Sequence, residues 1–221
     1  MANEASKTKL LHGDKFLPYL TGSGIDIGCG ADPILQSARA FDQIHGDANQ
    51  ISKYIPEKFD YIFSSHSLEH MLDPLLALED WLKILKPAGY LVVLVPDEDL
   101  YEQGNFPSRF NRDHKHTFTI QKSKSWSPKS HNILELVKKL NVELIMIELQ
   151  EDNYDRGLYI HKATPWNIFM GKLCGKLRSV FRTPRGQVFI CKVMNFLGAT
   201  IDQTSLPQRL AQIMFIVKKK L

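Results

Sequence analysis

The stretch Gly24-Ile25-Asp26-Ile27-Gly28-Cys29-Gly30-Ala31-Asp32-Pro33 decides the fold. Its first half is a hydrophobic strand and its second a Gly-x-Gly turn, where small residues let a ligand come close to the backbone. In an open parallel sheet, ligands bind at the carboxyl ends of the strands. A dinucleotide fingerprint needs a small residue three positions after Gly30, where this chain has Pro33, and Asp32 would set negative charge beside a pyrophosphate. Both features speak against a nicotinamide dinucleotide. Asp26, two residues before Gly28, suits a ligand carrying an ammonium group.

Outward from this turn, residues 1–150 alternate strand-like and helix-like patterns, as in a parallel sheet covered by helices. Strands are predicted at Gly24–Gly28, Gln43–Asp47, Phe59–Ser64, Tyr90–Pro96 and Val142–Leu149, several of them apolar runs of the kind buried on both faces. A further short strand ends at Asp42. Asp73 is predicted to cap a helix opening at Pro74, with Leu75, Leu78, Trp81, Leu82 and Leu85 on one stripe, and Pro87 and Gly89 to end it. A second helix is expected to open with Ser127 and Pro128 and to carry Ile133, Leu136, Val137 and Leu140 on one face. Phe16–Leu20 reads as a short covering helix.

Between Trp166 and Leu197, apolar residues mix with Lys172, Lys176, Arg178, Arg182 and Arg185, and Pro184 and Gly186 divide the segment into two helices. Gln212–Val217 reads as a strand returning to the sheet edge. The expected fold is α/β, a Rossmann-like, doubly wound, mainly parallel sheet with an antiparallel C-terminal edge strand. Residues 1–150 form its core; residues 151–221 add a basic helical insertion and the last strand within the same domain.

The composition fits one such domain. Of 221 residues, 43% are hydrophobic and 24% charged, enough for a sizeable core and unlike a disordered chain. There is no run of about 18 apolar residues, and Met1 to Leu10 has no signal-peptide core. Cys29, Cys174 and Cys191 are too scattered for a disulfide framework or a zinc site. A soluble, cytoplasmic protein is expected. The net charge of +4 is unevenly divided: residues 1–150 hold 16 Lys/Arg against 20 Asp/Glu, and residues 151–221 hold 12 against 4. Two segments with different partners are therefore expected.

Four stretches occur in a definite order at strand ends: DIGCGADP at 26–33, GDA at 46–48, FDYIFSSHSLEHMLDP at 59–74 and LKILKPAGYLVVLVPD at 82–97. As a set they resemble the class I S-adenosylmethionine-dependent methyltransferases, specifically the group called methyltransferase type 11, over roughly residues 14–150. The resemblance implies S-adenosyl-L-methionine as cofactor. It implies Asp26, Gly28, Cys29 and Gly30 at the methionine end, Asp47 and Ala48 at the adenine, Ser65 and His66 along the methionine portion, and Asp42 on the ribose hydroxyls. The chain departs from the family in one place: four residues separate Asp42 from Asp47, too few for the helix that usually lies between the second and third strands.

A sulfonium cofactor carries its own activated methyl group, so the protein chiefly aligns an in-line attack and excludes water. A hydroxyl acceptor favours a positioned base. The polar loop from Asp97 to His116 supplies the candidates: His114 or His116 as base, oriented by Asp113, Arg109 for an anionic group, and Tyr101 and Asn111 around the acceptor. Glu69 and His70 read equally as packing at a sheet–helix junction or as part of the site. No metal is assigned; a metal centre would instead gather Asp113, His114 and His116, with His66 or His70, around a divalent ion. Ser64-Ser65-His66-Ser67 lacks the Asn/Asp-Pro-Pro-aromatic segment usual in methylation of exocyclic amines. That favours an oxygen on a small molecule, a sugar or sugar-linked phosphate. Two readings stay open beside it: an RNA methyltransferase whose basic tail holds phosphates, and a non-catalytic binding protein on the same fold. The mixed basic and apolar pattern of the tail equally suits peripheral contact with an anionic membrane, or plain amphipathic packing with a solvated basic face.

Overall fold

The computed structural model describes residues 4–120, 122–181 and 183–221, so Arg182 of the tail lies outside the described residues. Eight strands occur among them: β1 (Gly24–Ile27), β2 (Arg39–Phe41), β3 (Phe59–Ser65), β4 (Leu85–Pro96), β5 (Thr117–Thr119), β6 (Ser130–Asn132), β7 (Val142–Gln150) and β8 (Gln212–Lys219). Six of them form a sheet in the order β2-β1-β3-β4-β8-β7. The strands from β2 to β4 are parallel. The C-terminal strand β8 is antiparallel to its neighbours, as expected, and lies one place in from the edge, which is β7. The short strands β5 and β6 pair in a small parallel ribbon of their own.

The apolar runs bury both faces of the sheet. Ile62 of β3 and Ile213, Phe215 and Val217 of β8 join the core beneath α2 (Pro74–Lys83) and α3 (Ile133–Lys139). Tyr61, Phe63, Met214 and Ile216 point the other way, toward α1 (Glu4–Phe16). Asp73 caps α2 as expected, its Oδ1 accepting the N–H groups of Leu75 and Leu76 at 2.9 and 3.1 Å.

Four local expectations need correction. The helix from Pro74 ends at Lys83, and Leu85, Pro87 and Gly89, expected on it or closing it, lie in β4. The strand predicted at Gln43–Asp47 is absent. The chain turns there instead: Asp42 Oδ1 accepts the N–H of Gln43 at 2.6 Å, the N–H of His45 bonds to the Asp42 carbonyl at 2.7 Å, Gly46 sits at φ +149°, and Ile44 is exposed. The helix expected from Ser127 begins six residues later, because Ser127 and Pro128 form a turn into β6 and Asn132 supplies the cap, its Oδ1 accepting the N–H of Glu135. At the amino end, Leu17–Tyr19 is a 3-10 turn that follows the longer helix α1. The buried face of α1 includes Thr8 and His12, whose partners are the distant Gln212 and Asp152. Polar residues on a buried face hide a helix from hydrophobic periodicity.

The tail forms α4 (Pro165–Val180) and α5 (Pro184–Phe196). Trp166 and Asn167 at the start of α4 donate to the carbonyls of Leu197 and Gly198 just beyond α5, at 3.2 and 2.8 Å, which makes the pair an antiparallel hairpin. Met170, Cys174, Cys191 and Met194 pack between the helices, with Ala199, Ile201 and Leu206. Among the described residues no helix is long and apolar enough to cross a membrane.

Candidate functional site

The two glycines of the turn serve different ends. Gly28 has φ +75°, its N–H bonds to the Phe41 carbonyl at 2.7 Å, and a Cβ there would lie 1.8 Å from Ser67 Oγ. Gly30 has φ +54°, its N–H donates to Asp42 Oδ2 at 2.8 Å, and no heavy atom lies within 4 Å of where its Cβ would be. Packing therefore demands the first glycine, whereas the second opens onto free space that a ligand can enter.

Asp26 lies buried beneath this turn, its Oδ2 accepting the N–H of Ile34 at 2.7 Å. Burial pushes its pKa up to about 7; the Ile34 bond opposes this, and the charges of Asp32 and Asp42 add to it. Burial, with the nearby Asp26 and Asp42, also raises the Cys29 thiol. To one side, the buried hydroxyl of Ser65 has no hydrogen-bond partner among the described residues. An open turn lined by carboxyl groups suits the ammonium at the amino-acid end of S-adenosylmethionine and is hostile to a pyrophosphate. Asp26, Gly28, Cys29, Gly30 and Asp42 are thus gathered at one turn.

The remaining residues expected at the cofactor have partners inside the protein. His66, at φ +52°, turns its Nε2 to Gln212 Oε1 at 2.8 Å. Asp47 Oδ1 accepts from the backbone and side-chain nitrogens of Asn49 at 2.9 and 2.7 Å, capping the 3-10 turn Ala48–Lys53, and the Ala48 carbonyl accepts from Trp81 Nε1 at 2.8 Å.

The loop after β4 is tied down by Glu98, a fully buried carboxylate that accepts from Thr117, Lys122, Ser125 and Ser130. This knot holds His114 inward. His114 Nδ1 lies 2.6 Å from Glu102 Oε1 and its Nε2 3.8 Å from Glu69 Oε1, while its ring stacks on Tyr101. Burial opposes charge on this ring, yet the Glu102 hydrogen bond and the charges of Glu69, Glu102 and Asp113 outweigh it and raise the pKa. His114, expected as a base, thus lies buried between two carboxylates.

Asp113 orients His70 rather than His114 or His116, its Oδ2 lying 2.9 Å from His70 Nδ1. His116 stands outside the cluster: Nε2 meets the Leu72 carbonyl at 3.2 Å, Nδ1 meets His131 Nε2 at 2.9 Å, and burial lowers its pKa. These contacts make it a structural residue. Asn111 likewise serves a turn, its Oδ1 accepting from the Asp113 N–H at 3.1 Å.

Sequence reasoning missed Glu102, and it left Glu69 and His70 as junction packing, with His70 also a possible metal ligand. Glu69 has no exposed surface and, among the described residues, neither carboxylate oxygen is hydrogen-bonded; His66 Nδ1 and His70 Nε2 stand 3.6 and 3.9 Å from it. Glu69, His70 and His114 also form the group whose ligand atoms, within 4.8 Å of one another, could hold a metal ion. Asp113 and His116, named for that role from sequence, do not belong to it.

Arg109 sits one wall away. Tyr101 packs edge-on to Phe110, and Arg109 donates to Thr200 Oγ1 at 2.7 Å and Asn105 Oδ1 at 2.8 Å. It lines a cleft of about 320 Å³ with Lys172, Arg178, Asp202 and part of α4. Among the described residues none of these three cations pairs with a carboxylate, although Asp202 also lines the cleft.

A family model described as a methyltransferase domain matches residues 12–145, more than half of the chain. No curated protein matches. Among solved structures, a SAM-dependent methyltransferase from Archaeoglobus fulgidus is 19% identical, with 99% of this chain and 95% of that one covered and a TM-score of 0.52. Phosphoethanolamine N-methyltransferase 2 of Haemonchus contortus, in complex with phosphomonomethylethanolamine and S-adenosylhomocysteine, is 16% identical, with 97% of this chain and 52% of that one covered and a TM-score of 0.52. At such identities the likeness is one of fold, and it agrees with the sheet order and the glycine turn. With the family match over the cofactor half of the chain, it makes this protein a member of the class I S-adenosylmethionine-dependent methyltransferases.

Proposed function

We propose that the protein methylates an oxygen of a small-molecule acceptor, a hydroxyl of a sugar or of a sugar-linked phosphate. The observation that carries this reading is the His70–Asp113 pair beside the buried Glu69 and His114, following the β3 end whose Ser67 packs on Gly28. The cofactor supplies an electrophilic methyl group on a sulfonium centre. An alcohol oxygen attacks poorly until its proton leaves. With Nδ1 held by Asp113, Nε2 of His70 is the nitrogen that takes this proton, and Asp113 and Glu69 stabilise the resulting imidazolium. Tyr101 and Phe110 form the wall between this centre and the cationic cleft. Arg109, Lys172 and Arg178 suit an anionic group on the acceptor.

Turnover with a panel of hydroxyl and amine acceptors, each with and without a phosphate, tests the reading. Hydroxyl acceptors should be methylated. Arg109→Ala should raise KM for a phosphorylated acceptor about tenfold while changing kcat by less than about twofold. Turnover confined to amines would overturn the oxygen assignment, and an Arg109→Ala effect on kcat alone would remove the anion from it.

A further inference from the structure

We infer that the outer face of the α4–α5 hairpin docks on an anionic lipid-bilayer surface. From Arg156 to Ile201 the chain carries eight Lys or Arg and no Asp or Glu. Of the 19 large hydrophobic side chains exposed among the described residues, 11 lie between Tyr159 and Leu197. So many on one short segment mark an interaction surface rather than ordinary scatter.

The pattern is ordered. On α5, Arg185, Phe189 and Phe196 recur at helical spacing on the outer side, with Phe189 and Phe196 exposed by 64% and 78%. On α4, Phe169 (57% exposed) and Lys176 also face outward. The inner sides have their own packed core around Met170, Cys174, Cys191 and Met194. The exposed rings are therefore surplus to the fold.

Charge decides between occupants. A two-fold contact with a second copy would bring two wholly basic faces together, since an isologous interface pairs a patch with itself. RNA would answer the charge but not helix-borne phenylalanines, because single strands are read by rings set along a groove. An anionic bilayer answers both: aromatic rings enter the boundary between headgroups and acyl chains while Lys and Arg stay with the headgroups. Neither helix is apolar enough to span the bilayer, so the hairpin lies on the surface. The inference stands independently of the acceptor reading.

Flotation of the full-length protein with vesicles of phosphatidylcholine, alone or mixed with phosphatidylglycerol, tests it. Retention on the anionic vesicles should exceed that on neutral ones by about tenfold and fall as salt rises. Phe169→Ser with Phe189→Ser, and separately Lys176→Glu with Arg185→Glu, should each reduce retention about tenfold. S-adenosylhomocysteine affinity should be unchanged in both, which shows that the fold is intact and separates this result from any failure of the methyl-transfer reading. The inference is overturned if anionic vesicles do not retain the protein or if both variants float as well as the parent. It is equally overturned if the same substitutions abolish RNA retention or self-association in a protein that ignores vesicles.

Discussion

Asp26 is expected to make cofactor binding a proton-linked event. Its carboxyl is held at a pKa of about 7, against 3.8 for the ordinary group, chiefly by burial. Between those values the folded protein keeps a proton that the unfolded chain has released, so raising the pH weakens the ligand-free fold. A difference of about three pH units corresponds to roughly 4 kcal/mol, fully present below pH about 4 and lost by pH about 7. A ligand ammonium beside Asp26 reverses the preference, because it favours the carboxylate. S-adenosylhomocysteine should then bind more tightly as pH rises, by about fiftyfold between pH 5 and pH 7, which is the growth in the ionised fraction of a group titrating near 7. Calorimetry in buffers of different ionisation enthalpy should detect about one proton released per ligand below pH 6. Asp26→Asn keeps an oxygen for the Ile34 N–H but cannot ionise, so its affinity should be weak and flat over the same range. An affinity that varies less than about twofold in the parent, or an equal slope in Asp26→Asn, would refute the reasoning.

Other substitutions separate structure from chemistry. Gly28→Ala should cost about 2–3 kcal/mol in urea unfolding, from the left-handed backbone and from displacing Ser67 off the Ile27 carbonyl. It should also weaken S-adenosylhomocysteine binding measured by calorimetry. His116→Ala should lower stability by about 1–3 kcal/mol, because the Leu72 carbonyl and His131 lose their partner, yet leave kcat of the folded enzyme within about twofold. His70→Ala should do the reverse, with kcat down by about 10² to 10⁴ and the melting temperature nearly unchanged. Steady-state kinetics beside thermal melts distinguish the two histidines.

The glycine turn, the apolar strands around it and the capped helix α2 were legible in the sequence because each rests on local rules. A turn that needs φ above zero selects glycine, a strand buried on both faces reads as an unbroken apolar run, and Asp73-Pro74 is a helix start. Gln43–Asp47 misled for the same reason: its residues allow a strand, but Asp42 bonds both to Gln43 beside it and to Gly30 across the turn. The proposed reacting centre is of another kind. Glu69 and His70 follow β3, Glu102, Asp113 and His114 lie in the loop after β4, and only the folded sheet brings the first two to the last three. His114 and His116 stand two residues apart in the chain, yet one faces carboxylates and the other a carbonyl and a second histidine. Sequence alone determined that a glycine turn follows the first strand and where it lies. Which histidine meets Asp113, and which carboxylate is left buried without a hydrogen bond among the described residues, was decided by tertiary packing, because burial and charge act through space and not along the chain.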